Sequence, residues 1–317
     1  MNIAVGGAER PDPVFQHSIL EGLRSNRKTI SSKWLYDEEG SRLFDAITTL
    51  PEYYPTRTET GILTDRAAEL DALLPEGTVL IELGSGSSTK TRILLDALPS
   101  VKAYVPVDIS AEFLHRAAQQ LAEDYPRLGV HPVVADFTRA FTVPPALAAA
   151  PKLLFFPGST IGNFTTAEAA KLLDGLSDID NVAAFVIGVD LKKNPDTLVR
   201  AYDDGAGVTA AFNLNLLRRL NRELQADFDL SAFRHEARWN EDDGRIEMHL
   251  VSQQDQCVDI LGQAISFRLG ETIHTENSHK YDVEGFRRLA ADAGWRATTV
   301  WTDQGRQFSV QVLRPGA

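Results

Sequence analysis

A short apolar segment, Thr78–Leu83, leads directly into a glycine-rich turn that begins at Gly84. Its residues do not alternate between polar and apolar, which is typical of a strand buried on both faces of a parallel sheet. Glycines directly after such a strand let the backbone approach a ligand closely at the carboxyl end of the sheet. The segment therefore predicts an α/β fold with a small-molecule site beside its first strand.

Further short apolar segments alternate with helical ones, which favours a doubly wound α/β sheet. The later strands are predicted at 103–108, 130–135, 152–157, 183–190, 296–301 and 307–313. Helices are predicted at 14–49, 59–74, 90–98, 111–122, 194–224 and 281–294, with a loop at 50–56. Segments 245–251 and 264–269 alternate as the strands of a β-hairpin do.

A chain of 317 residues is longer than one hydrophobic core usually supports, so we expect two domains. Residues 59–191 and 281–317 are expected to form the domain that contains the doubly wound sheet. Residues 14–58 and 192–280 are expected to form a second, smaller α+β domain that binds the substrate. Residues 1–13 contain two glycines and two prolines and are expected to be a flexible N-terminus.

The formal net charge of −12 argues against a nucleic-acid substrate, which needs a basic surface. The single cysteine, Cys257, permits neither an internal disulfide nor a cysteine-based zinc cluster. Residues 1–13 lack the pattern of a secretory signal, and no apolar stretch approaches the length of a membrane span. We therefore expect a cytoplasmic protein that has no membrane partner and acts on a small molecule.

Acidic residues follow the second and third predicted strands, at Asp108 and at Asp136-Phe137. Carboxylates in these places could bind a ligand held over the glycine turn, or they could cap the helices that follow. The turn lacks the third glycine of a dinucleotide fingerprint because Thr89 stands there, which argues against a nicotinamide cofactor.

The segment Glu82-Leu-Gly-Ser-Gly86 resembles the first motif of the class I S-adenosylmethionine-dependent methyltransferases, which have a Rossmann-like sheet. The resemblance implies S-adenosylmethionine as cofactor and S-adenosylhomocysteine as product. It implies that Asp108 binds the ribose hydroxyls, that Asp136 lies near the adenine amino group, and that Phe137 packs on the adenine ring. The cofactor-binding residues that it implies around the glycine turn are Glu82, Gly84, Ser85, Gly86 and Lys90.

Longer segments are similar to the L-histidine Nα-methyltransferases of ergothioneine biosynthesis, and the similarity covers nearly the whole chain beyond residue 30. The segments that carry it are 33–37, 50–59, 158–163, 200–204, 221–224, 245–248 and 275–280. The resemblance implies an enzyme that converts L-histidine to Nα,Nα,Nα-trimethylhistidine (hercynine).

The same resemblance implies roles for residues of the substrate site. Asn163 and Tyr202 would bind the carboxylate and amine of the amino acid, and Glu276 and Ser278 would bind the imidazole. A carboxylate can accept an imidazole N–H, a hydroxyl can serve the other ring nitrogen, and residues two apart on a strand share a face. Tyr53, Phe212 and Met248 would line the pocket, Tyr36 and Asn163 would act at the reacting amine, and Gly158 would lend a backbone group.

The implied reaction is an in-line attack of a neutral amine nitrogen on a methyl carbon, which needs alignment of the reactants rather than a nucleophilic triad. The proton of the amine could pass to water or to Tyr36. His274, Glu276 and His279 lack the spacing of a known metal site, so no metal is expected.

Two other functions are open. A related enzyme could methylate another aromatic amino acid such as tryptophan, but an indole offers one N–H and no ring acceptor, so Glu276 and Met248 favour histidine. A non-catalytic cofactor or amino-acid sensor would bind its ligands without turnover, and the presence of both sets of site residues argues against it. A monomer is expected in either case.

Overall fold

The computed structural model describes residues 12–86 and 89–316. Its strands are β1 Thr78–Leu83, β2 Val101–Asp108, β3 Gly129–Val130, β4 Val133–Val134, β5 Lys152–Phe156, β6 Val182–Asp190, β7 Phe233–Asn240, β8 Arg245–Ser252, β9 Gln256–Ile260, β10 Gln263–Phe267, β11 Thr272–His279, β12 Trp295–Thr302 and β13 Phe308–Pro315. Its α-helices are α1 Pro13–Arg24, α2 Glu38–Thr48, α3 Tyr54–Arg66, α4 Thr89–Ala97, α5 Ala111–Asp124, α6 Thr166–Ser177, α7 Pro195–Tyr202, α8 Val208–Leu224 and α9 Val283–Asp292. Short 3₁₀ segments lie at Ser32–Leu35, Ala67–Leu73, Pro145–Leu147, Thr160–Asn163 and Leu230–Ala232.

The main sheet has eight strands in the order β12-β13-β6-β5-β1-β2-β3, with β4 also paired to β2. The strands run parallel except β13, which is antiparallel to both of its neighbours. All six residues of β1 are buried, as expected for a central strand covered on both faces. Because β1, β2 and β4 are neighbours, the turns after their carboxyl ends meet at one edge of the sheet.

Apolar side chains cover both faces of this sheet. On one face, α6 and α9 pack in a cluster that includes Leu173, Phe286 and the fully buried Trp295. On the other face, α3 and α4 contribute Leu63 and Leu94 to a second cluster. The predicted fold class, a doubly wound α/β sheet accompanied by a smaller α+β part, is confirmed.

The smaller part contains a three-stranded antiparallel sheet, β11-β8-β7, and a separate β9–β10 hairpin. Helices α1, α2, α7 and α8 pack against these strands in a third apolar cluster. The boundaries predicted for the two domains stay a prediction. Of the predicted N-terminal segment, residues 1–11 lie outside the described part of the chain, and α1 begins at Pro13 with Asp12 as its N-cap.

Several predicted elements need correction. The single helix predicted over 14–49 is two helices, because α1 ends at Arg24 and α2 begins after its N-cap Asp37. The predicted loop at 50–56 already contains the first turn of α3, where Pro55 is tolerated because the first helical N–H groups have no intrahelical partner. Likewise, 194–224 forms two helices, α7 and α8, and the third strand is split into β3 and β4.

The predicted pairing of 245–251 with 264–269 is wrong. Strand β8 pairs with β7 and β11, whereas β10 pairs with β9 in another sheet. Alternation of side chains shows that a segment is a half-buried strand, but it does not identify the partner strand. Within the described ranges, the helices are all too short or too polar to cross a membrane.

Candidate active site

A cleft of about 500 Å³ opens where the carboxyl edge of the main sheet faces the smaller part of the molecule. Ser110 and Asp136, which follow β2 and β4, line it from the sheet side. Lys33, Tyr36 and Asp37, from the 3₁₀ segment and the start of α2, line it from the other side. The cleft thus joins Asp136, a predicted cofactor-binding residue, to Tyr36, the residue predicted to stand near the reacting amine.

The glycine turn after β1 has the geometry that the sequence predicts. Gly84 and Gly86 both have positive φ angles, +67° and +47°, which glycine adopts without strain. A Cβ on Gly84 would lie 3.4 Å from the ring of Phe137, so the turn and this ring are in contact. The hydroxyl oxygen of Ser85 is buried and has no hydrogen-bond partner among the residues described. A buried orphan oxygen here fits a turn that binds a polar ligand.

Asp108 ends β2 beside this turn, with its Oδ1 accepting a hydrogen bond of 2.9 Å from the Ser110 N–H. The backbone N–H groups of Gly86 and Ile109 also donate to its carboxylate. Burial nevertheless raises the pKa of Asp108 above its ordinary value. The carboxylate is therefore fixed by backbone donors at the position where ribose hydroxyls are predicted to bind.

Asp136 and Phe137 follow β4, the short strand that pairs with β2. Asp136 accepts hydrogen bonds from the N–H and hydroxyl of Thr138, which, despite partial burial, hold its pKa below the ordinary value. Lys33 lies 3.6 Å from this carboxylate and brings the smaller part of the molecule against it. The ring of Phe137 packs edge-to-face on Phe156. Its predicted contact with adenine would use the remaining ring surface.

Glu82 lies on β1 just before the turn and is 1% exposed. Its Oε2 accepts hydrogen bonds from the hydroxyls of Thr91 and Tyr104. Burial raises the pKa of Glu82 to about 7 despite these bonds. The residue thus fixes α4 and β2 relative to β1, and its predicted contact with the cofactor stays a prediction.

Lys90, at the start of α4, forms an ion pair with Glu59, a carboxylate on α3 that is fully buried. The same carboxylate accepts the N–H of Gly158, in the loop after β5, at 2.9 Å and 3.1 Å. Glu59 therefore connects the helix after the glycine turn to the loop predicted to contact the substrate. Because the Gly158 N–H is used here, its carbonyl is the group that it can offer to a ligand.

Predicted substrate residues from four elements form an aromatic cluster. The ring of Tyr36 packs edge-to-face on Phe212 and on Phe44, with centroids 5.5 Å apart in each pair. Phe44 contacts Tyr53, which contacts Tyr202 in turn, at 6.2 Å and 6.0 Å. Burial, reinforced by the nearby Glu276 and Tyr53, raises the pKa of Tyr36 well above its usual range. Tyr36 is consequently a neutral phenol at physiological pH.

Glu276 lies on β11 directly opposite Met248 on β8, so both side chains point to the same face of the small sheet. Ser278 lies two residues further along β11 on that face. Burial raises the pKa of Glu276 to about 7, although Lys280 opposes the shift. Its Oε2 is buried and has no hydrogen-bond partner within the described ranges. The site thus presents a buried acceptor with a hydroxyl two residues away.

Tyr202 and Ser278, both predicted substrate residues, lie together, with their hydroxyl oxygens 2.7 Å apart. The Nζ of Lys280 donates to both of them, over 3.0 Å to Tyr202 and 2.8 Å to Ser278. The same ammonium group lies 2.7 Å from Oδ2 of Asp190, the last residue of β6. Asp190 is 1% exposed and Lys280 is fully buried at its side chain.

Asn163 ends the 3₁₀ segment after Gly158, and this segment packs directly on β11. Gly162 lies so close to β11 that a Cβ there would be 2.7 Å from the carbonyl oxygen of His279. The Nδ1 of His279 in turn bonds to the carbonyl of Gly162 at 3.0 Å. This contact places Asn163 beside the strand that carries Glu276 and Ser278.

The histidines weighed as metal ligands lie apart from this pocket. His279 is engaged with Gly162, and His274 belongs to a group with His249 and Glu247 whose possible ligand atoms lie within 4.8 Å of one another. His249 and Glu247 alternate with Met248 along β8, so they point to the opposite face of the small sheet.

Several residues of the site escaped the sequence analysis. Lys33 closes the cleft against Asp136, Glu59 holds Gly158, and Lys280 and Asp190 hold Tyr202. The signal that could have found three of them is the family resemblance, because Lys33 begins one of the resembling segments and Glu59 and Lys280 each end one. Asp190 had only its place at the end of a strand as a signal.

Comparisons with known proteins identify the family of this chain. A family model described as histidine-specific methyltransferase, SAM-dependent, matches residues 15–315. Histidine N-alpha-methyltransferase of Mycolicibacterium smegmatis is 43% identical over 311 residues, covering 96% of both chains. Ergothioneine biosynthesis protein 1 of Neurospora crassa is 34% identical over 288 residues, covering 88% of this chain and 32% of that longer protein.

Among solved structures, the CurJ carbon methyltransferase has a TM-score of 0.50 at 14% identity, covering 96% of this chain and 65% of that chain. At this identity, the likeness concerns the fold alone.

Proposed function

Since this chain belongs to the family of histidine-specific, S-adenosylmethionine-dependent methyltransferases, we propose that it adds three methyl groups in succession to the α-amino nitrogen of L-histidine. The enzyme class and the histidine Nα-specificity are those of its curated relatives. The product would be Nα,Nα,Nα-trimethylhistidine, and the pathway that it serves would be ergothioneine biosynthesis, which the name of the Neurospora relative indicates.

One observation supports the substrate above the others: Glu276 offers a buried carboxylate oxygen that no described residue satisfies. A buried acceptor of this kind costs free energy until a donor reaches it. An imidazole N–H is such a donor, and the hydroxyl of Ser278 on the same face of β11 can serve the second ring nitrogen. Met248, opposite Glu276, supplies an apolar wall for the ring.

The proposed cofactor site is the edge of the sheet where the turns after β1, β2 and β4 meet. S-adenosylmethionine supplies an electrophilic methyl group on its sulfonium sulfur when it is bound. The residues proposed to hold it are Glu82, Gly84, Ser85, Gly86, Lys90, Asp108, Asp136 and Phe137. The orphan hydroxyl of Ser85 and the backbone-held carboxylate of Asp108 fit a ligand with several polar groups.

The proposed role of the protein in the reaction is to hold the amine neutral and aligned. Asn163 and Tyr202 would bind the amine and carboxylate ends of histidine. Because the pKa of Tyr36 is raised by burial, its phenol would accept a hydrogen bond from the amine rather than act as an anionic base. The proton would therefore leave to water, and alignment would supply most of the rate enhancement.

The alternative of tryptophan as substrate is not favoured. An indole could donate its one N–H to Glu276, but it has no ring acceptor for the hydroxyl of Ser278.

We further propose that the enzyme works in the cytoplasm as a monomer on small-molecule substrates. Light scattering during size-exclusion chromatography would detect a larger assembly.

The test of the substrate is a competition assay. The protein is incubated with S-adenosylmethionine and equal amounts of L-histidine, L-tryptophan and L-tyrosine, and the products are identified by mass spectrometry. We expect trimethylated histidine and unmodified tryptophan and tyrosine. A product that stops at one methyl group would contradict trimethylation, and methylated tryptophan as the main product would contradict the assignment.

The variant Glu276→Gln tests whether the unsatisfied carboxylate oxygen of Glu276 binds the imidazole. Loss of a charge-assisted hydrogen bond is expected to lower kcat/KM for histidine by about 10- to 100-fold. Its matched control is Glu247→Gln, which makes the same chemical change on the opposite face of the same small sheet. If both variants kept wild-type kcat/KM, the imidazole would not be bound by Glu276.

A further inference from the structure

A fully buried lysine, Lys280, lies behind Tyr202, which is proposed to bind the substrate carboxylate. Lys280 directly follows β11, and its ammonium group has three N–H donors. One reaches Asp190 Oδ2 at 2.7 Å, one reaches the Tyr202 oxygen at 3.0 Å, and one reaches the Ser278 oxygen at 2.8 Å. The ammonium also lies 4.6 Å from the centre of the Tyr202 ring.

These contacts fix the direction of the two hydrogen bonds between Lys280 and the hydroxyl oxygens. An ammonium group can only donate, so it occupies an acceptor site on both hydroxyl oxygens. The Tyr202 and Ser278 oxygens are also bonded to each other, which uses the hydrogen of one of the two hydroxyls. Tyr53 is a further hydrogen-bond partner of Tyr202. Both hydroxyls of the pair are therefore held in place and backed by a positive charge.

The charges around Lys280 are not balanced within the network. Asp190 is the carboxylate shared by Lys280 and Lys193, the latter at 2.6 Å from its Oδ1. Tyr54 adds a neutral hydroxyl that donates to the same carboxylate at 2.7 Å. Glu276 is a further carboxyl group that acts on Tyr202, and its burial disfavours ionisation. Two cations thus share one firmly ionised carboxylate in a buried region.

We propose that Lys280 is a positioning residue that makes the enzyme select amines bearing a carboxylate, acting through the hydroxyl of Tyr202. The inference rests on the proposed function, since it concerns the α-carboxylate of the amino-acid substrate. The substrate carboxylate supplies the negative charge that the network lacks. A ligand with the same imidazole and no carboxylate gains from Lys280 only through Ser278, the proposed partner of the imidazole.

Lys280 also joins the two parts of the molecule, because its ion pair ties β11 to β6. A test must therefore separate ligand selection from folding. Three ligands make the separation: L-histidine, histamine, which lacks the carboxylate, and imidazole-4-propionate, which keeps the carboxylate and lacks the amine. Their dissociation constants are measured by calorimetry with S-adenosylhomocysteine present, in the wild type and in Lys280→Met.

In Lys280→Met, we expect the dissociation constants of histidine and imidazole-4-propionate to rise at least about tenfold, as for loss of a charge-assisted contact. The constant of histamine is expected to rise less, because Lys280 supports only its imidazole contacts, through Ser278 and Glu276. Lys280→Arg keeps the charge and is expected to restore part of the selectivity. Equal weakening of all three ligands, or of none, would overturn the inference.

Lys152→Met is the matched control, because Lys152 is also buried but donates to backbone carbonyls of Ala148, Ala150 and Asp180 on the far side of the sheet. It should leave all three constants unchanged. If Lys280→Met does not fold, Tyr202→Phe removes the hydroxyl through which Lys280 acts, and the same pattern is expected. Wild-type protein that fails to methylate histidine would contradict the proposed function, whereas an active wild type whose Lys280→Met variant keeps the wild-type selectivity would contradict this inference alone.

Discussion

Glu276 combines two demands on a single side chain. It must be ionised to accept an imidazole N–H strongly, yet burial raises its pKa to about 7 in the protein without substrate. Near neutral pH, the side chain is therefore poised between its two states. Binding of an imidazole N–H donor stabilises the carboxylate and pulls the equilibrium toward the charged form.

The titration of Glu276 predicts a pH-dependent stability. Its pKa in the folded protein, about 7, is higher than the ordinary value of 4.5, so protonation favours the folded state. This contribution is complete below pH 4.5 and is lost as the pH rises through 7. Relative to Glu276→Gln, the free energy of unfolding of the wild type should fall by roughly 2 to 3 kcal/mol between pH 5 and pH 8.

Urea denaturation of both proteins at several pH values measures this difference. Comparison with the variant cancels the titration of Glu82, which burial also shifts to a pKa of about 7. A wild-type curve parallel to that of the variant across the range would show that Glu276 is ionised throughout.

At this scale, the sequence predicted residues that the fold brings together, but it missed the charged groups that hold them in place. Tyr202 and Ser278, which are far apart in the chain and were predicted to bind different ends of the substrate, are hydrogen-bonded to each other. Asp190, Glu59 and Lys280 were missed because a buried charge depends on partners from other elements, which spacing along the chain does not reveal. The roles assigned to the predicted site residues stay predictions.

The 3₁₀ segment Thr160–Asn163 shows how one element positions another. It lies against β11 so closely that residue 162 has no room for a side chain, since the atoms nearest to a Cβ would belong to the His279 backbone. Backbone atoms cannot rotate away as side chains can, so a larger residue must displace the whole segment.

Gly162→Ala is therefore expected to move Asn163 away from β11. The overpacking should lower the free energy of unfolding by about 1–3 kcal/mol, and the dissociation constant of histidine should rise about tenfold, equivalent to one misplaced hydrogen bond. Binding of S-adenosylhomocysteine, which is proposed to lie beside the turns after β1, β2 and β4, should be unchanged. Calorimetry with each ligand and urea denaturation provide the measurements.

Gly175→Ala is the control for this change. Gly175 lies within α6, and a Cβ there would meet no atom within 4 Å. Alanine should stabilise the helix by about 0.5–1 kcal/mol because glycine loses more backbone freedom on folding. If Gly162→Ala behaved like Gly175→Ala, the close packing on β11 would not position Asn163.

Helices and strands were predicted well where the burial pattern alone determines them. They were predicted poorly where contacts with other elements determine them. Strand β1 has the predicted bounds because six buried residues leave little ambiguity. The partner of β8 was predicted wrongly because β7 and β11 compete for the same alternating pattern. The break between α1 and α2 was missed because the 3₁₀ segment between them, Ser32–Leu35, buries Trp34 and Leu35 as a helix would.

Asp190 connects the two parts of the whole molecule. It ends β6 of the main sheet and binds Lys280 beside the small sheet, Tyr54 on α3 and Lys193 before α7. Burial alone would raise the pKa of Asp190, but Lys280 and Lys193 hold it below the ordinary value. Its charge is therefore essential to the junction at neutral pH.

Asp190→Asn is expected to destabilise the protein by about 3–5 kcal/mol, because it leaves two buried cations without their carboxylate. The loss should be smaller at pH 9 than at pH 7. Burial already lowers the pKa of Lys193 to about 8, and without Asp190 this lysine loses its proton more readily in the folded state. Urea denaturation at the two pH values checks both the size and the sign.

Glu39→Gln serves as the control for loss of an ion pair, since Glu39 pairs with Arg42 on the exposed face of α2. Solvent screens such a pair, so the free energy of unfolding should not change measurably. An Asp190→Asn variant as stable as this control would show that the junction does not depend on the carboxylate.

At the scale of the whole molecule, the strand before Gly84 and the acidic strand ends were enough to predict the sheet and to propose the edge where a ligand binds. Those features follow from a general rule, that parallel sheets bind ligands beyond their carboxyl ends. The cleft lined by both Tyr36 and Asp136 was beyond prediction, because the way in which two cores meet depends on shapes that have no local pattern in the sequence.

The aromatic cluster of Tyr36, Phe44, Tyr53 and Phe212 bears on how many rounds of alkylation one substrate molecule undergoes in the proposed reaction. Each round exchanges an N–H for an apolar methyl, and the last leaves nitrogen as a permanent quaternary cation. Ring faces attract such a cation and lose no bond when an N–H disappears. Walls of this kind tolerate every intermediate of the series, so they suit a catalyst that carries its substrate to full substitution.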